Sequence, residues 1–346
     1  MLNLLDTASE YLTKKGKVMS VSKIIITTIL AFLLVLIIAI LFDVRKAKNT
    51  GYKKYNLKAS LTAYGFMLPA LILIVTFVIL TIVMSLTYAF TDYYLLEPNN
   101  ISFIGLDNFK NLFKEIMAKG DFYNALLNTF HFVIFVVPLQ IVLALILALL
   151  INRVNHKKST TFFKIAYFAP VVMSLTVVSI LWLKMLRPDE LGLVNNLLNK
   201  FGIENQGFLT DPDQAMNVIV IMSAWQGCGF QMLIFLAALK NVDYSVVESA
   251  RLDGAKAPTI FWHITLPSIK PTFVFILMTT IASASKLLVQ PMVMTGYKDY
   301  TLTTSYYIYQ EGYYFKMVGF ASSAALIMTV VVGLITISQK RLMKED

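Results

Sequence analysis

Seven long apolar runs alternate with short polar connectors along this chain: Ile24 to Phe42, Leu61 to Phe90, Asn124 to Ile151, Ile165 to Met185, Met216 to Leu239, Thr272 to Met294 and Val318 to Ile337. About 20 helical residues cross a bilayer core, so each run predicts one membrane span. The connectors alternate in sign. Asp43 to Ser60 carries Arg45, Lys46, Lys48, Lys53, Lys54 and Lys58, and the segment after the third run carries Arg153, Lys157 and Lys158. By the positive-inside rule both lie in the cytoplasm, as does the tail with Lys340, Arg341 and Lys344. The connectors with Asp92, Glu97, Asp107, Glu115 and Asp121, and with Asp189, Glu190, Glu204, Asp211 and Asp213, are then external. Within the second of these, Leu191, Val194, Leu197 and Leu198 predict a small interfacial helix.

Seven spans with a cytoplasmic tail leave the N-terminus outside, against the preference of Lys14, Lys15, Lys17 and Lys23. The six bases of the next connector outweigh those four. Phe42, Asp43, Val44 and Arg45 do not form a small-residue cleavage site, so the first run reads as a retained helix, or more conservatively as an uncleaved anchor. Residues 1–60 thus form an N-terminal segment holding a helix over about 24–42, and residues 61–346 form the core. Pro138 predicts a kink in the third span.

The stretch from Val242 to Pro271 is polar yet lies between two apolar runs. Asp243 is placed to cap a helix over Tyr244 to Leu252, Gly254 to end it in a left-handed bend, and Pro258 to start a second short helix that Pro267 stops. Val246, Val247, Ala250, Ile260, Phe261 and Ile264 supply apolar contacts. Physics alone also allows an amphipathic hairpin resting on a lipid face, with Glu248 paired to Arg251 one turn on.

Those residues carry a sharper likeness. Glu248, Ala250, Gly254, Ile264, Leu266 and Pro267 resemble, in order and spacing, the EAA loop of ABC-importer permeases, and Asp253, Gly254 and Ala255 follow the form of their sugar-transporting branch. Ser249 departs from the usual Ala. Further likeness runs from about Leu68 onward: Phe103 to Phe109 resembles the family's external segment, Asn128, Thr129, Pro138, Leu139 and Gln140 its next helix, and Leu233 to Lys240 the helix before the loop. The chain is similar to the carbohydrate branch of this family, and within it to the maltose-type, MalF-like first permease. The resemblance implies an all-α polytopic core of six transmembrane helices, here with one extra N-terminal helix. It implies a coupling loop at about 242–271, cytoplasmic like the C-terminus, in a bacterial cell membrane. Glu248, Ala250, Asp253, Gly254, Ala255, Phe261, Ile264, Leu266 and Pro267 would meet the ATPase. The implied partners are a second homologous permease, two ATPase subunits that hold ATP and Mg, and an extracellular solute-binding protein. The implied cargo is a carbohydrate, expected to be an oligosaccharide, and this chain itself would bind no cofactor.

Composition agrees with a membrane chain: 346 residues, 57% hydrophobic, mean hydropathy +0.68. A net charge of +10 sits in the short connectors, which argues for topology and against a nucleic-acid partner. Cys228 is the only cysteine, so no disulfide or CxxC site exists within the chain, and His131, His156 and His263 are widely separated. There is no phosphate loop of the GxxxxGK type, no HExxH and no GxSxG, so energy must come from a partner and an enzyme acting on lipid-linked sugar is the weaker alternative. A stand-alone carrier or channel would need coupling carboxylates within its spans, and none is found.

Polar groups inside the spans mark the candidate substrate path, because exposing them to lipid is costly. Ser223, Trp225, Gln226 and Gln231 precede the loop; Ser283, Ser285, Lys286 and Gln290 follow it. Matching the maltose-type binding helices points to Ser223, Gln226, Gly227, Phe230, Ser283 and Lys286, with Val171 and Leu175 on an earlier helix. Trp225 adds an aromatic face suited to a sugar ring. The serines and Gly227 have a plainer explanation as close-packing residues, and Lys286 as a side chain that snorkels to the interface.

Overall fold

The structure is a computed structural model and describes residues 57–154 and 156–342. The expected first helix and most of the basic connector lie outside the described residues, as does Lys344. Among the described residues the chain is helical, with one isolated antiparallel bridge between Thr91 and Phe103.

In order, α1 is Leu57–Ile74, continued through a π turn at Val75–Ile79 into α2, Leu80–Tyr88. Then come α3, Asp107–Met117; α4, Asp121–Asn152; α5, Lys157–Val172; α6, Leu175–Met185; α7, Leu193–Lys200; and α8, Pro212–Lys240. A hairpin of α9, Tyr244–Leu252, and α10, Ala257–Ile260, runs through a π turn at Phe261–Thr265 into α11, Leu266–Ser268. After it lie α12, Lys270–Ala284; α13, Val289–Met294; α14, Thr304–Tyr309; and α15, Val318–Leu342.

Four helical stretches are long and apolar enough to cross a membrane: Gly65–Tyr88, Asp121–Asn152, Pro212–Lys240 and Val318–Gln339. Two bent pairs bring the number to at most six, in line with a six-span core. The pairs are α5 with α6, and Ala257–Ser268 with α12 at 70°; the hydrophobic pattern predicts neither bend, nor the separate end of α12. The run read as one span over Ile165 to Met185 is α5 and α6 at 95°, broken at Met173 and Ser174. The run read as Thr272 to Met294 is α12, ending at Ala284, then Ser285 to Leu288, then α13. At 1.5 Å per residue the 15 residues of α12 reach only about 22 Å, short of a bilayer core. α4 is continuous through Pro138. A short helix is present at the predicted place as α7.

The chain forms two compact units. Of the described residues, the first comprises 57–114 and 308–327. In it the loop after α2 folds back on itself: Asp92 N–H donates to the Ser102 carbonyl at 3.1 Å, and Ser102 N–H to the Asp92 carboxylate at 2.6 Å. Asn108 is buried and its amide donates to the carbonyls of Ala89, 3.0 Å, and Thr91, 2.9 Å, closing the end of α2. A Cβ on Gly319 would lie 2.2 Å from the Thr91 carbonyl oxygen, so only glycine lets α15 start this close to the loop.

Of the described residues, the second unit comprises 115–154, 156–307 and 328–342, with α8 at its centre packed against α4, α5 and α12. Its core joins Phe132, Val136 and Ile141 of α4 to Ile219, Met222, Met232 and Phe235 of α8 and Ile276 of α12. The start of α4 is stitched to the segment before α14. Asn128 donates to the carbonyls of Asp299 and Leu302, and the Thr304 N–H donates to the Thr129 hydroxyl at 2.9 Å. Glu115, at the end of α3, accepts from the Tyr307 hydroxyl at 2.9 Å and from the Phe122 N–H at 3.3 Å. Burial raises its carboxyl above the usual range, the Tyr307 and Phe122 hydrogen bonds oppose that, and the charge of Asp121 adds to it.

Asn108→Ala leaves two buried carbonyls without their donor and should lower stability by about 1–3 kcal/mol, read as a fall in Tm of the detergent-solubilised protein. For Glu115 the raised folded pKa means that its stability contribution is full below the unfolded value, about 4.3, and is lost as pH rises through the folded one. Glu115→Gln should remove that loss, so the variant gains on the native chain from acid to neutral pH; thermal melts of both across the range check it.

Candidate functional site

The hairpin between α8 and α12 is built by local chemistry. The Asp243 carboxylate accepts from the Ser245 N–H at 2.9 Å and caps α9. Hydrogen bonding from Ser245 also holds that carboxyl below its ordinary range. At the other end the Ala255 N–H donates to the Ala250 carbonyl at 2.9 Å and the Gly254 N–H to the Arg251 carbonyl at 3.0 Å, a Schellman closure. It requires the left-handed backbone seen at Gly254, φ 82°. Ser249, the departure from the family pattern, donates its hydroxyl to the Ser245 carbonyl one turn back and so adds no unpaired polar group.

Pro258 stands in the first turn of α10, as its missing N–H favours. Pro267 does not stop the second arm, contrary to the reading from sequence. The helix runs on to Ser268 and bends by 70° at Ile269. A proline inside a helix has no N–H for the carbonyl four residues back and crowds it. Here the preceding turn widens to a π turn, in which the Leu266 N–H reaches the Phe261 carbonyl, and the helical path survives.

The base of the hairpin is anchored while its tip is not. Val242 and Leu266 pack on the core of the second unit, and Ile260 and Ile269 are buried. Ala250, Ala255, Phe261 and Ile264 are half-buried, whereas Glu248, Asp253, Gly254 and Pro267 are exposed. Glu248 and Arg251 do not form an ion pair: the ion pairs among the described residues are Lys110 with Asp107 and Arg187 with Asp189. Sequence reasoning missed the exposed apolar residues of the same tip. Leu252 is 85% exposed, Tyr244 64% and Trp262 63%. Their presence in a short polar stretch was the available signal.

The candidate path residues divide. Ser223, Gln226, Gly227 and Phe230 fall on one side of α8 by their spacing of three, four and seven. Trp225, two residues from Ser223, points to the opposite side and packs against Trp182 of α6, ring centroids 5.8 Å apart. The structure therefore does not bring it to the other four. Ser223 is buried and accepts from the Gln290 amide at 3.5 Å. A Cβ on Gly227 would lie 2.4 Å from the Gln140 amide nitrogen, so glycine there admits the Gln140 side chain of α4. Gln226 donates to the Pro170 carbonyl at 3.3 Å, one of the acceptors that α5 loses at its break. Val171 and Leu175 flank that same break.

Lys286 is not embedded in a helix. It is exposed within the break after α12, with its N–H on the Ser283 carbonyl, and Ser283 is exposed beside it. The carbonyls released by this second break have donors: the Thr303 hydroxyl reaches the Leu287 carbonyl at 2.6 Å and the Ser305 hydroxyl the Ser285 carbonyl at 3.5 Å. One polar pair deeper in the bundle completes the picture. Gln231 of α8 donates to the Thr280 hydroxyl of α12 at 2.5 Å. Such a bond between membrane helices contributes about 0.6 kcal/mol on average. The site thus has no catalytic constellation; it combines an anchored hairpin with two broken helices whose freed backbone groups are met by side chains.

Comparison with known proteins places this arrangement. A family model for the inner membrane component of binding-protein-dependent transport systems matches residues 115–344. The probable ABC transporter permease protein YesP of Bacillus subtilis (strain 168) is 34% identical over 288 residues, 81% of this chain and 89% of that protein. The lactose transport system permease protein LacF of Rhizobium radiobacter is 33% identical over 281 residues, 79% and 91% of the two chains. Among solved structures, a chain of a bacterial ABC transporter involved in the import of the acidic polysaccharide alginate superposes with a TM-score of 0.71 at 26% identity, covering 83% of this chain and 96% of that one. A chain of a bacterial alginate ABC transporter in complex with alginate pentasaccharide-bound periplasmic protein gives a TM-score of 0.73 at 25% identity over 83% and 97%. With its bundle of long apolar helices and its exposed hairpin between α8 and α12, the chain belongs to the family of inner membrane components of binding-protein-dependent transport systems.

Proposed function

We propose that this chain is a membrane subunit of an ATP-driven importer of carbohydrate, and that the α9 to α11 hairpin is the lever on which the ATPases act. The observation that carries the reading is the hairpin itself: a Schellman-closed tip that exposes Glu248, Leu252 and Asp253, on a base held in the core by Val242, Leu266 and Ile269. Exposed Leu252 next to Asp253 lets the tip offer an apolar and a charged contact to a partner. The hairpin and the C-terminus lie in the cytoplasm, where ATP and Mg are held by two ATPase subunits. A second, homologous permease completes the translocation path, and an extracellular solute-binding protein delivers the cargo. Closure of the ATPases would then switch the translocation path between inward- and outward-facing as a rigid-body change.

An oligosaccharide is the cargo that the relatives favour. They include proteins named for arabinooligosaccharides, lactose and multiple sugars, together with the alginate transporter. On this chain Phe230 offers an exposed ring face on the same side of α8 as Ser223, Gln226 and Gly227, and Ser283 and Lys286 offer a hydroxyl and a cation at the α12 break. Lys286 suits an acidic sugar or a sugar phosphate as well as a neutral one, and one relative is named for sn-glycerol-3-phosphate.

Nothing lies within 4 Å of a Cβ built on Gly254, so a side chain there fits the isolated chain and is opposed only by its left-handed backbone, a cost of about 1–2 kcal/mol. Gly254→Trp should therefore reach the membrane in normal amount yet lose ATP-dependent uptake, while Gly254→Ala loses only part of it. Membrane abundance by immunoblot, beside transport in cells carrying the whole importer, reads both; normal uptake by the Trp variant would sink the lever. A cysteine replacing Lys256 in a Cys228→Ser background should react with a membrane-impermeant thiol reagent only from the cytoplasmic side.

A further inference from the structure

The hairpin has two arms, α8 leading in and α12 leading out, and any push on it must divide between them. Gln231 lies nine residues before the end of α8 and Thr280 ten residues after the start of α12, so the pair meets at matched heights about 14 Å from the hairpin. The bond is directional by construction. Thr280 donates its hydroxyl proton to the Ile276 carbonyl at 2.6 Å, which leaves its lone pair to accept from the Gln231 amide at 2.5 Å. Both side chains are buried, and the Gln231 Oε1 has no partner. A buried amide satisfied on one side only is a poor source of stability, and an apolar pair of the same volume would avoid that deficit. What the amide does supply is a fixed register between two helices that would otherwise slide on smooth apolar surfaces. Nearer the hairpin, Phe235 and Phe273 continue the contact, ring centroids 6.2 Å apart; beyond the α12 break, Gln290 reaches Ser223 on the same helix.

We propose that the Gln231–Thr280 bond locks α8 and α12 into one body, so that displacement of the hairpin reaches the break at Ser285 to Leu288 as a unit and is not absorbed by the arms moving apart. Both are positioning residues, and the proposal rests on the lever reading given above. The test uses the assembled importer with its ATPases in nanodiscs, in a Cys228→Ser background, with spin labels at Ile221→Cys and Phe275→Cys. These sites are exposed on α8 and α12 and about 20 Å apart along the axes. The interspin distance should be the same without nucleotide and after trapping with ATP, Mg and vanadate. Adding Gln231→Leu, or separately Thr280→Val, should make that distance shift and broaden on trapping. ATP hydrolysis should persist in these variants while its response to the loaded binding protein weakens roughly threefold. A distance that changes on trapping with the bond intact overturns the proposal, and so does a distance that neither substitution disturbs. If no ATPase purifies with the chain, the lever reading fails; if ATPase is bound and the arms separate, only the lock fails.

Discussion

A helix that stops inside an apolar bundle releases carbonyls that no water meets, and much of this structure follows from how those groups are satisfied. At the end of α5 the Pro170 carbonyl takes the amide of Gln226. At the end of α12 the Ser285 and Leu287 carbonyls take the hydroxyls of Ser305 and Thr303. In each case the donor comes from another element, so the break and its neighbour form together or not at all. This gives Gln226 a structural role, tying α8 to the bent span.

The hairpin solves the same problem with its own atoms. Its caps are Asp243 at one end and the backbone of Gly254 and Ala255 at the other, all local in sequence. That self-sufficiency lets its tip stand exposed while its base is buried. A lever needs this division: stiffness from internal hydrogen bonds, attachment through apolar contacts, and a free face for a partner.

Small residues set the distances between these parts. A Cβ on Gly229 would fall 2.1 Å from the Tyr167 carbonyl oxygen, so α5 and α8 approach backbone to backbone, and Gly227 leaves room for Gln140 from α4. In lipid, where apolar surfaces gain little by leaving one solvent for another like it, such close packing together with a few hydrogen bonds is what holds helices in place. The polar groups that a sequence scan selects as a substrate path are partly used this way. Ser223 and Gln231 face inward and are bonded, while Phe230, Ser283 and Lys286 remain exposed.

Hydrophobic runs and charge alternation were enough to predict a helical chain that crosses the membrane several times, because bilayer thickness and the cost of unpaired backbone leave few alternatives; the six-span core came from the family resemblance. The hairpin from Asp243 to Ser268 was legible nearly residue by residue, since its caps and its bend are local: an Asx cap, a left-handed glycine, a proline in a first turn. Its one misread residue, Pro267, shows the limit, for whether a proline ends a helix or widens it to a π turn depends on what the next turns pack against. The breaks at Met173 and at Ser285 were invisible for the same reason. Apolar content is unchanged across them, and the groups that make them tolerable, Gln226, Thr303 and Ser305, lie 20 or more residues away in two of the three cases. Which side of α8 each polar residue occupies follows from helix geometry, but which neighbour waits there was decided by tertiary packing alone. Hydropathy measures whether a segment belongs in lipid; only the folded chain supplies the donors that let it bend there.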